Sequence, residues 1–231
     1  MPLLILLPGL ACDAALFRDQ QPVLAALGPV LVTDVHRRES TLPAMAARLL
    51  VEHPGPLALA GASMGGMLAL EVWRQAPERV RGLALLGTTA RADTPAQTRL
   101  RSEGIKAFEA GRLDEVLAAN LMFAFHPAHA ARLAADYGAM LRGAGVAQLV
   151  AQNRAVMARE DQRSRLQAVR CPVLVMGGED DGLTPPDCAR EIAAAIPQAR
   201  LEILPRCGHM LTWEQPGAVT AALRDWWSAL A

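Results

Sequence analysis

The chain has 231 residues, 52% of them hydrophobic, and its acidic and basic side chains balance at 23 each. That length suffices for one well-buried core, alone or with an inserted subdomain, while the neutral balance offers no field to attract nucleic acid or anionic lipid. No apolar run reaches the ~18 residues of a membrane span, so a soluble, cytoplasmic globular protein is expected.

The apolar start, Met1 to Gly9, carries no basic leading region and no small-residue cleavage site, and it reads as a first strand rather than a signal peptide. Within it, residues 3–7 are continuously apolar, as suits a strand buried on both faces. A helix is predicted over residues 15–27, a strand at 30–32 and a polar turn at Thr33-Asp34. Arg37-Arg38, followed by Glu39, reads as a solvated loop. Thr41 and Pro43 open a helix containing Met45, Leu49 and Leu50, because Thr caps a helix and Pro is tolerated in its first turn. His53-Pro54-Gly55-Pro56 ends it. Leu57 to Ala62 form an apolar strand that enters a tight turn at Ser63, and a helix then runs from about Met64 through Trp73.

A further strand is predicted at residues 80–86. From 91 to 166 the signals are helical only, which marks an inserted cap over the sheet, leaving 1–90 and 167–231 as the core. Alternation resumes with a strand at 172–176, a helix opening at Thr184-Pro185-Pro186, a strand at 201–204 and a last helix over 216–230. Strand and helix alternating in this way argue for an α/β fold with a parallel sheet and helices on both faces.

The tight turn carries Gly61-Ala-Ser63-Met-Gly65, between a strand and a helix, where this pattern presents a nucleophile. A chain of this length holds Gly-x-Ser-x-Gly by chance roughly one time in twelve, so the partners must decide. A serine hydroxyl needs a base, and the base needs an orienting acid. In open α/β sheets such groups gather at the carboxyl ends of strands. Gly178-Glu-Asp180-Asp181 follows one predicted strand and Gly208-His209 another, in the order Ser, Asp, His. Either Asp180 or Asp181 could orient the histidine; the Gly-x-x-Asp spacing favours Asp181.

These residues make the chain resemble the α/β-hydrolases of the small esterase, lactonase and carbon-carbon hydrolase group. Gly-Ala-Ser63-Met-Gly-Gly is similar to that family's nucleophile elbow, Gly178 to Asp181 with Pro185 to its acid loop, and Gly208-His209 with Glu214 to its histidine loop. Pro8-Gly9-Leu10 falls at the oxyanion turn, with Pro8 where the family usually has histidine. The resemblance implies Ser63 as nucleophile, His209 as general base and acid, Asp181 as orienting acid, and the backbone N–H groups of Leu10 and Met64 as oxyanion donors. It also implies about six strands, since the family's usual first two precede this start.

A cofactor-free serine hydrolase of the carboxylesterase kind is therefore expected, acting on a small or medium ester. Hydrolysis of a carbon-carbon bond or enol-lactone by the same triad is the alternative. A non-catalytic ligand-binding member of the fold would tolerate loss of triad members, and none is lost. Phe123, Phe125 and His126 are candidates for lining the acyl or alcohol pocket, or else for the cap's own core. His36, His53 and His129 lack paired ligand spacing and read as surface residues, with no metal site expected. Cys12, Cys171, Cys188 and Cys207 show no metal or redox spacing and are expected to be reduced thiols. Trp213, Trp226 and Trp227 are assigned to anchoring a terminal helix on the sheet.

Overall fold

Six strands form the sheet: β1 (Leu3–Leu7), β2 (Val30–Val32), β3 (Leu57–Ala62), β4 (Val80–Leu86), β5 (Val173–Gly178) and β6 (Ala199–Leu204). In the computed structural model, which describes residues 1–230, they are all parallel and lie in the order β2-β1-β3-β4-β5-β6. Side chains along a strand alternate between faces. Leu4, Leu6, Ala58, Ala60, Ala84 and Leu86 accordingly join one apolar cluster, and Ile5, Leu7, Leu57, Leu59, Leu83 and Leu85 the other. Burial on both faces explains why these strands read as unbroken apolar runs.

Helices α1 (Gln21–Ala25), α2 (Val35–Arg38), α3 (Leu42–Glu52) and α4 (Met64–Gln75) come from the first half of the core. Between β4 and β5 the regular elements are α5 (Pro95–Glu109), α6 (Leu113–Ala124), α7 (Pro127–Ala144), α8 (Val146–Met157) and a 3-10 turn at Arg163–Ala168. Then come α9 (Pro186–Ala195), α10 (Leu211–Glu214) and α11 (Pro216–Ser228). Helices α3, α4 and α9 cover one face, through Leu49, Leu68 and Ile192; α1 and α11 cover the other, through Leu24 and Leu223. Ile105, Phe108, Leu117, Tyr137 and Leu149, from the helices between β4 and β5, extend the cluster that holds Leu24 and Leu223. No helix among the described residues is long and apolar enough to cross a membrane.

The chain leaves β1 for β2 on one side and returns to β3 on the other. Where the winding direction reverses, the loops after β1 and β3 diverge and leave a crevice at the carboxyl ends of the strands. Ser63 and Pro8-Gly9-Leu10 border that crevice.

Four expectations are corrected. The helix expected over 15–27 is a 3-10 turn, Ala14–Phe17, followed by the short α1, because Pro22 lacks the N–H a continuous helix needs and is accommodated only in a fresh first turn. Arg37-Arg38 is not a loop but the last turn of α2, where Arg38 bonds both carboxylate oxygens of Glu52 at 2.6 and 2.9 Å. His36 is buried rather than on the surface, with its ring against the Cys12 carbonyl. Trp213 belongs to α10, not to the terminal helix; it is buried and its indole N–H donates to the Ala15 carbonyl.

Candidate active site

The turn from β3 into α4 holds Ser63 at φ 54°, ψ −117°, a conformation that costs a non-glycine residue about 1–3 kcal/mol. Backbone bonds keep it there: Ser63 N–H donates to the Leu86 carbonyl at 2.9 Å, and the Ser63 carbonyl accepts from Gly66 N–H at 2.9 Å and from the Thr88 hydroxyl at 2.7 Å. The turn closes only because two neighbours are glycine. A Cβ at Gly61 would strike the Gly65 backbone, and one at Gly65 would strike the Leu7 and Pro8 carbonyls. Gly65→Ala is expected to cost at least about 3 kcal/mol, since backbone has to shift to admit the methyl; a urea titration beside wild type checks it.

His209 follows β6 and Asp181 follows β5. The His209 Nδ1–H donates to Asp181 Oδ2 at 2.8 Å; a carboxylate cannot donate, so Nδ1 carries the hydrogen and Nε2 is left as a basic lone pair. Asp181 itself is fixed by the Leu183 and Thr184 N–H groups and by the Thr184 hydroxyl, each at 2.8 Å. Burial opposes a charge on His209, but the Asp181 carboxylate outweighs it and the imidazole pKa is raised above its ordinary value. The carboxylate that meets the histidine is thus Asp181's. Asp180 is exposed, and its carboxylate lies 4.0 Å from His126 Nε2.

The loops that carry these groups are tied to the end of α6 and the residues that follow it. His209 N–H and Met210 N–H donate to the Ala124 carbonyl at 2.8 and 3.2 Å, and Gly182 N–H donates to the Phe123 carbonyl at 3.2 Å. Buried Glu214 completes the clamp, accepting from the Gly208 N–H at 3.0 Å, the His126 N–H at 2.8 Å and the His129 ring at 3.1 Å. Glu214→Ala would leave two amide hydrogens buried without acceptors, at about 1–3 kcal/mol each. A loss of about 2–6 kcal/mol in chemical denaturation is the expected outcome.

Ser63, His209, Leu10 and Thr184 line one cavity of about 650 Å³, a volume suited to a small organic ligand. Its wall is mainly apolar, with Leu16, Met67, Leu86, Phe108 and Tyr137 among its residues. Among the described residues, the Leu10 and Met64 N–H groups have no acceptor; Met64 opens α4, where no intrahelical partner exists. Phe123 reaches the cavity and is half exposed. Phe125 and His126 are corrected: neither lines it. Phe125 is buried edge-on against Tyr137 with ring centroids 5.2 Å apart, and the His126 ring caps α7 by accepting the Ala128 N–H.

Several polar groups at the cavity escaped sequence reasoning, Arg101 and Asn153 among them. Arg101 is held by Asp93 at 2.8 Å, which also binds Arg159 at 2.6 Å. Thr184, three residues past Asp181, could have been found, since a side chain at that offset commonly bonds an aspartate locally. Nothing in the spacing of residues 93, 101, 153 and 159 points to their convergence. Cys207, beside His209 in sequence, is fully buried and its thiol pKa is pushed up by burial, as suits a packing residue. All four cysteines are free thiols.

A family model described as alpha/beta hydrolase fold matches residues 53–216. A pimeloyl-[acyl-carrier protein] methyl ester esterase of Nitrosomonas europaea is 31% identical over 166 residues, 68% of this chain and 65% of that protein. The biotin biosynthesis bifunctional protein BioHC of Cellvibrio japonicus is 26% identical along the whole chain but is covered for only 48% of its own length. The chain thus spans between about half and two thirds of these curated relatives. A solved structure of a thermophilic esterase from Thermogutta terrifontis, with malate bound, superposes with a TM-score of 0.90 over 100% of this chain and 90% of that one; at 24% identity it shows the shared fold.

Proposed function

Since the chain belongs to the alpha/beta hydrolase fold family, we propose that it is a serine hydrolase that cleaves a small or medium carboxylic ester, or a related acyl bond, through an acyl-enzyme. The observation that carries this reading is the His209–Asp181 pair, bonded at 2.8 Å, whose histidine lines the same cavity as a serine held at positive φ.

In the proposed reaction, Ser63 Oγ attacks the acyl carbon while His209 Nε2 takes the hydroxyl proton. The negative charge that develops on the carbonyl oxygen is received by the N–H groups of Leu10 and Met64. Collapse of the tetrahedral species breaks the ester C–O bond, and the imidazolium returns its proton to the leaving alcohol. Water, deprotonated by the same imidazole, then attacks the acyl-enzyme and releases the carboxylic acid with Ser63 restored. Asp181 holds the tautomer and stabilises the imidazolium through both steps. The helical segment 91–166 is read as a cap on the core 1–90 and 167–231, supplying the far wall of the pocket. The apolar lining supports a hydrocarbon acyl or alcohol group, and no cofactor enters the scheme.

Steady-state hydrolysis of p-nitrophenyl esters from acetate to decanoate, with fluorophosphonate labelling, tests the reading. Turnover with labelling at Ser63 is expected, with an optimum in chain length that sizes the pocket. Labelling without ester turnover would move carbon-carbon bond or enol-lactone hydrolysis ahead. Neither turnover nor labelling would point to a ligand-binding protein and sink the proposal.

A further inference from the structure

Gln152 lies on α8, 141 residues from the loop after β1, and is almost fully buried. Its side chain is satisfied at both ends. Oε1 accepts the Ala11 N–H at 2.7 Å, and Nε2 donates to the His36 carbonyl at 2.9 Å. The His36 ring in turn bonds the Cys12 carbonyl through Nε2 at 2.9 Å. Burial lowers the His36 pKa, so the ring stays neutral and Nε2 is the donor, because a carbonyl can only accept. Ala11, Gln152, His36 and Cys12 thus form a closed circuit that joins the loop after β1 to α2 of the core and α8 of the inserted helices.

The circuit acts on the peptide groups of that loop. Ala11 sits at φ 63°, an uncommon conformation for a residue with a Cβ, and needs an outside restraint to persist. The Leu10–Ala11 peptide is held at its N–H by Gln152 and at its carbonyl by the Cys12 thiol at 3.4 Å. Burial pushes that thiol up to about 12, which keeps it protonated and able to donate. The preceding Gly9–Leu10 peptide is held by Cys12 N–H to the Gly9 carbonyl at 3.1 Å. In a trans peptide the N–H points opposite to its carbonyl. Fixing the Gly9 carbonyl and the next peptide plane therefore fixes the direction of the Leu10 N–H. With Ala11 N–H already engaged, Leu10 provides an unengaged amide at this point of the cavity wall.

We infer that Gln152 is a positioning residue for the oxyanion site: through Ala11 it aims the Leu10 N–H at the developing oxyanion, and through His36 it makes that aim depend on how α8 is seated. This rests on the serine-hydrolase reading above. Leu149 and Asn153, which flank Gln152 on α8, line the cavity, so one helix both contacts the substrate space and holds the donor loop. Gln152→Met preserves length and volume but removes acceptor and donor together. Gln152→Glu, kept protonated by burial, retains both.

The test is kinetics per active site, counted by fluorophosphonate labelling, with inhibition by an alkyl boronic acid, which mimics the tetrahedral species, and by the matching alcohol, which does not. For Gln152→Met, kcat is expected to fall about 100-fold, as for a donor displaced by a fraction of an ångström. KM and alcohol inhibition should stay within about threefold, the acid limb of the pH profile should not move, and boronate affinity should fall in step with kcat. Gln152→Glu should return to within about tenfold of wild type. A merely structural role would lower the labelled fraction and the melting temperature with kcat per labelled site unchanged, and that result overturns the inference. So would equal losses in Gln152→Glu and Gln152→Met. A wild type that neither labels nor turns over any substrate overturns the serine-hydrolase reading and the inference with it, whereas a labelled wild type beside an unaffected Gln152→Met overturns the inference alone.

Discussion

Ser63→Ala is expected to lower kcat by about 10⁴- to 10⁶-fold while leaving the fold intact. The bonds that hold residue 63 in place run through its backbone: its N–H to Leu86, and its carbonyl to the Gly66 and Met67 N–H groups and the Thr88 hydroxyl. Alanine keeps all of them and keeps the Cβ, so only the hydroxyl is removed. Ser63→Gly separates activity from stability. At φ 54° glycine meets no steric penalty, and relief of the strain should raise stability by about 1 kcal/mol or more. The glycine enzyme should be as inactive as the alanine enzyme yet melt higher than wild type. Kinetics with active-site titration, beside thermal denaturation of both variants, checks the pair. Ester turnover that survives in Ser63→Ala would remove Ser63 from the mechanism.

Strain at the site is shared. The three non-glycine residues at positive φ among those described are Ala11, Ser63 and Arg206, one in each of the loops that follow β1, β3 and β6. These loops carry Leu10, the proposed oxyanion donor, Ser63, the proposed nucleophile, and His209. Strained backbone concentrates where a side chain or amide must be aimed at a ligand, and the surrounding core holds it there.

Much of this was legible in the chain because it is local. Strand length, burial on two faces, the Thr41 cap and the order Ser, Asp, His all lie within short windows or follow from where strands end. The choice between Asp180 and Asp181 was only a preference from spacing. It needed coordinates, because the turn that puts one carboxylate against His209 and the other into solvent is set by the Leu183 and Thr184 amides. The helix expected over 15–27 failed because apolar spacing carried through a proline that helix geometry does not tolerate in mid-run. His36 and Gln152 were illegible for another reason. A lone polar residue announces nothing about its burial until the fold brings residues 11, 12, 36 and 152 together. Phe125 and His126 were misplaced because an aromatic pair within a run of helix signals fits a small core as well as a pocket wall; the contact with Tyr137 decides for the core at Phe125, and the His126 ring caps α7.

Asp181→Asn should cost about 10⁴-fold in kcat, and the cause is the tautomer of His209. Two amide hydrogens, those of Leu183 and Thr184, point at Asp181 Oδ1. An asparagine at 181 satisfies them only by placing its carbonyl oxygen there, which turns its NH₂ toward His209 Nδ1. That nitrogen must then accept, the ring hydrogen moves to Nε2, and the lone pair that would take the Ser63 proton is lost. The pH profile separates this effect from simple misfolding. A general base works when unprotonated, so kcat/KM rises with pH through the imidazole pKa. In wild type, Asp181 raises that pKa against the opposing effect of burial, so the acid limb lies above the ordinary histidine value. Without the Asp181 carboxylate, burial, the largest single influence, is reinforced by Arg101 and opposed only by the smaller effect of Glu214, so the limb of the residual activity moves to lower pH. Asp180→Asn alters an exposed carboxylate that does not bond His209, and should leave both rate and limb within about twofold of wild type. A collapse of activity in Asp180→Asn with little change in Asp181→Asn would reassign the orienting acid, and with it the role given to the Leu183 and Thr184 amides.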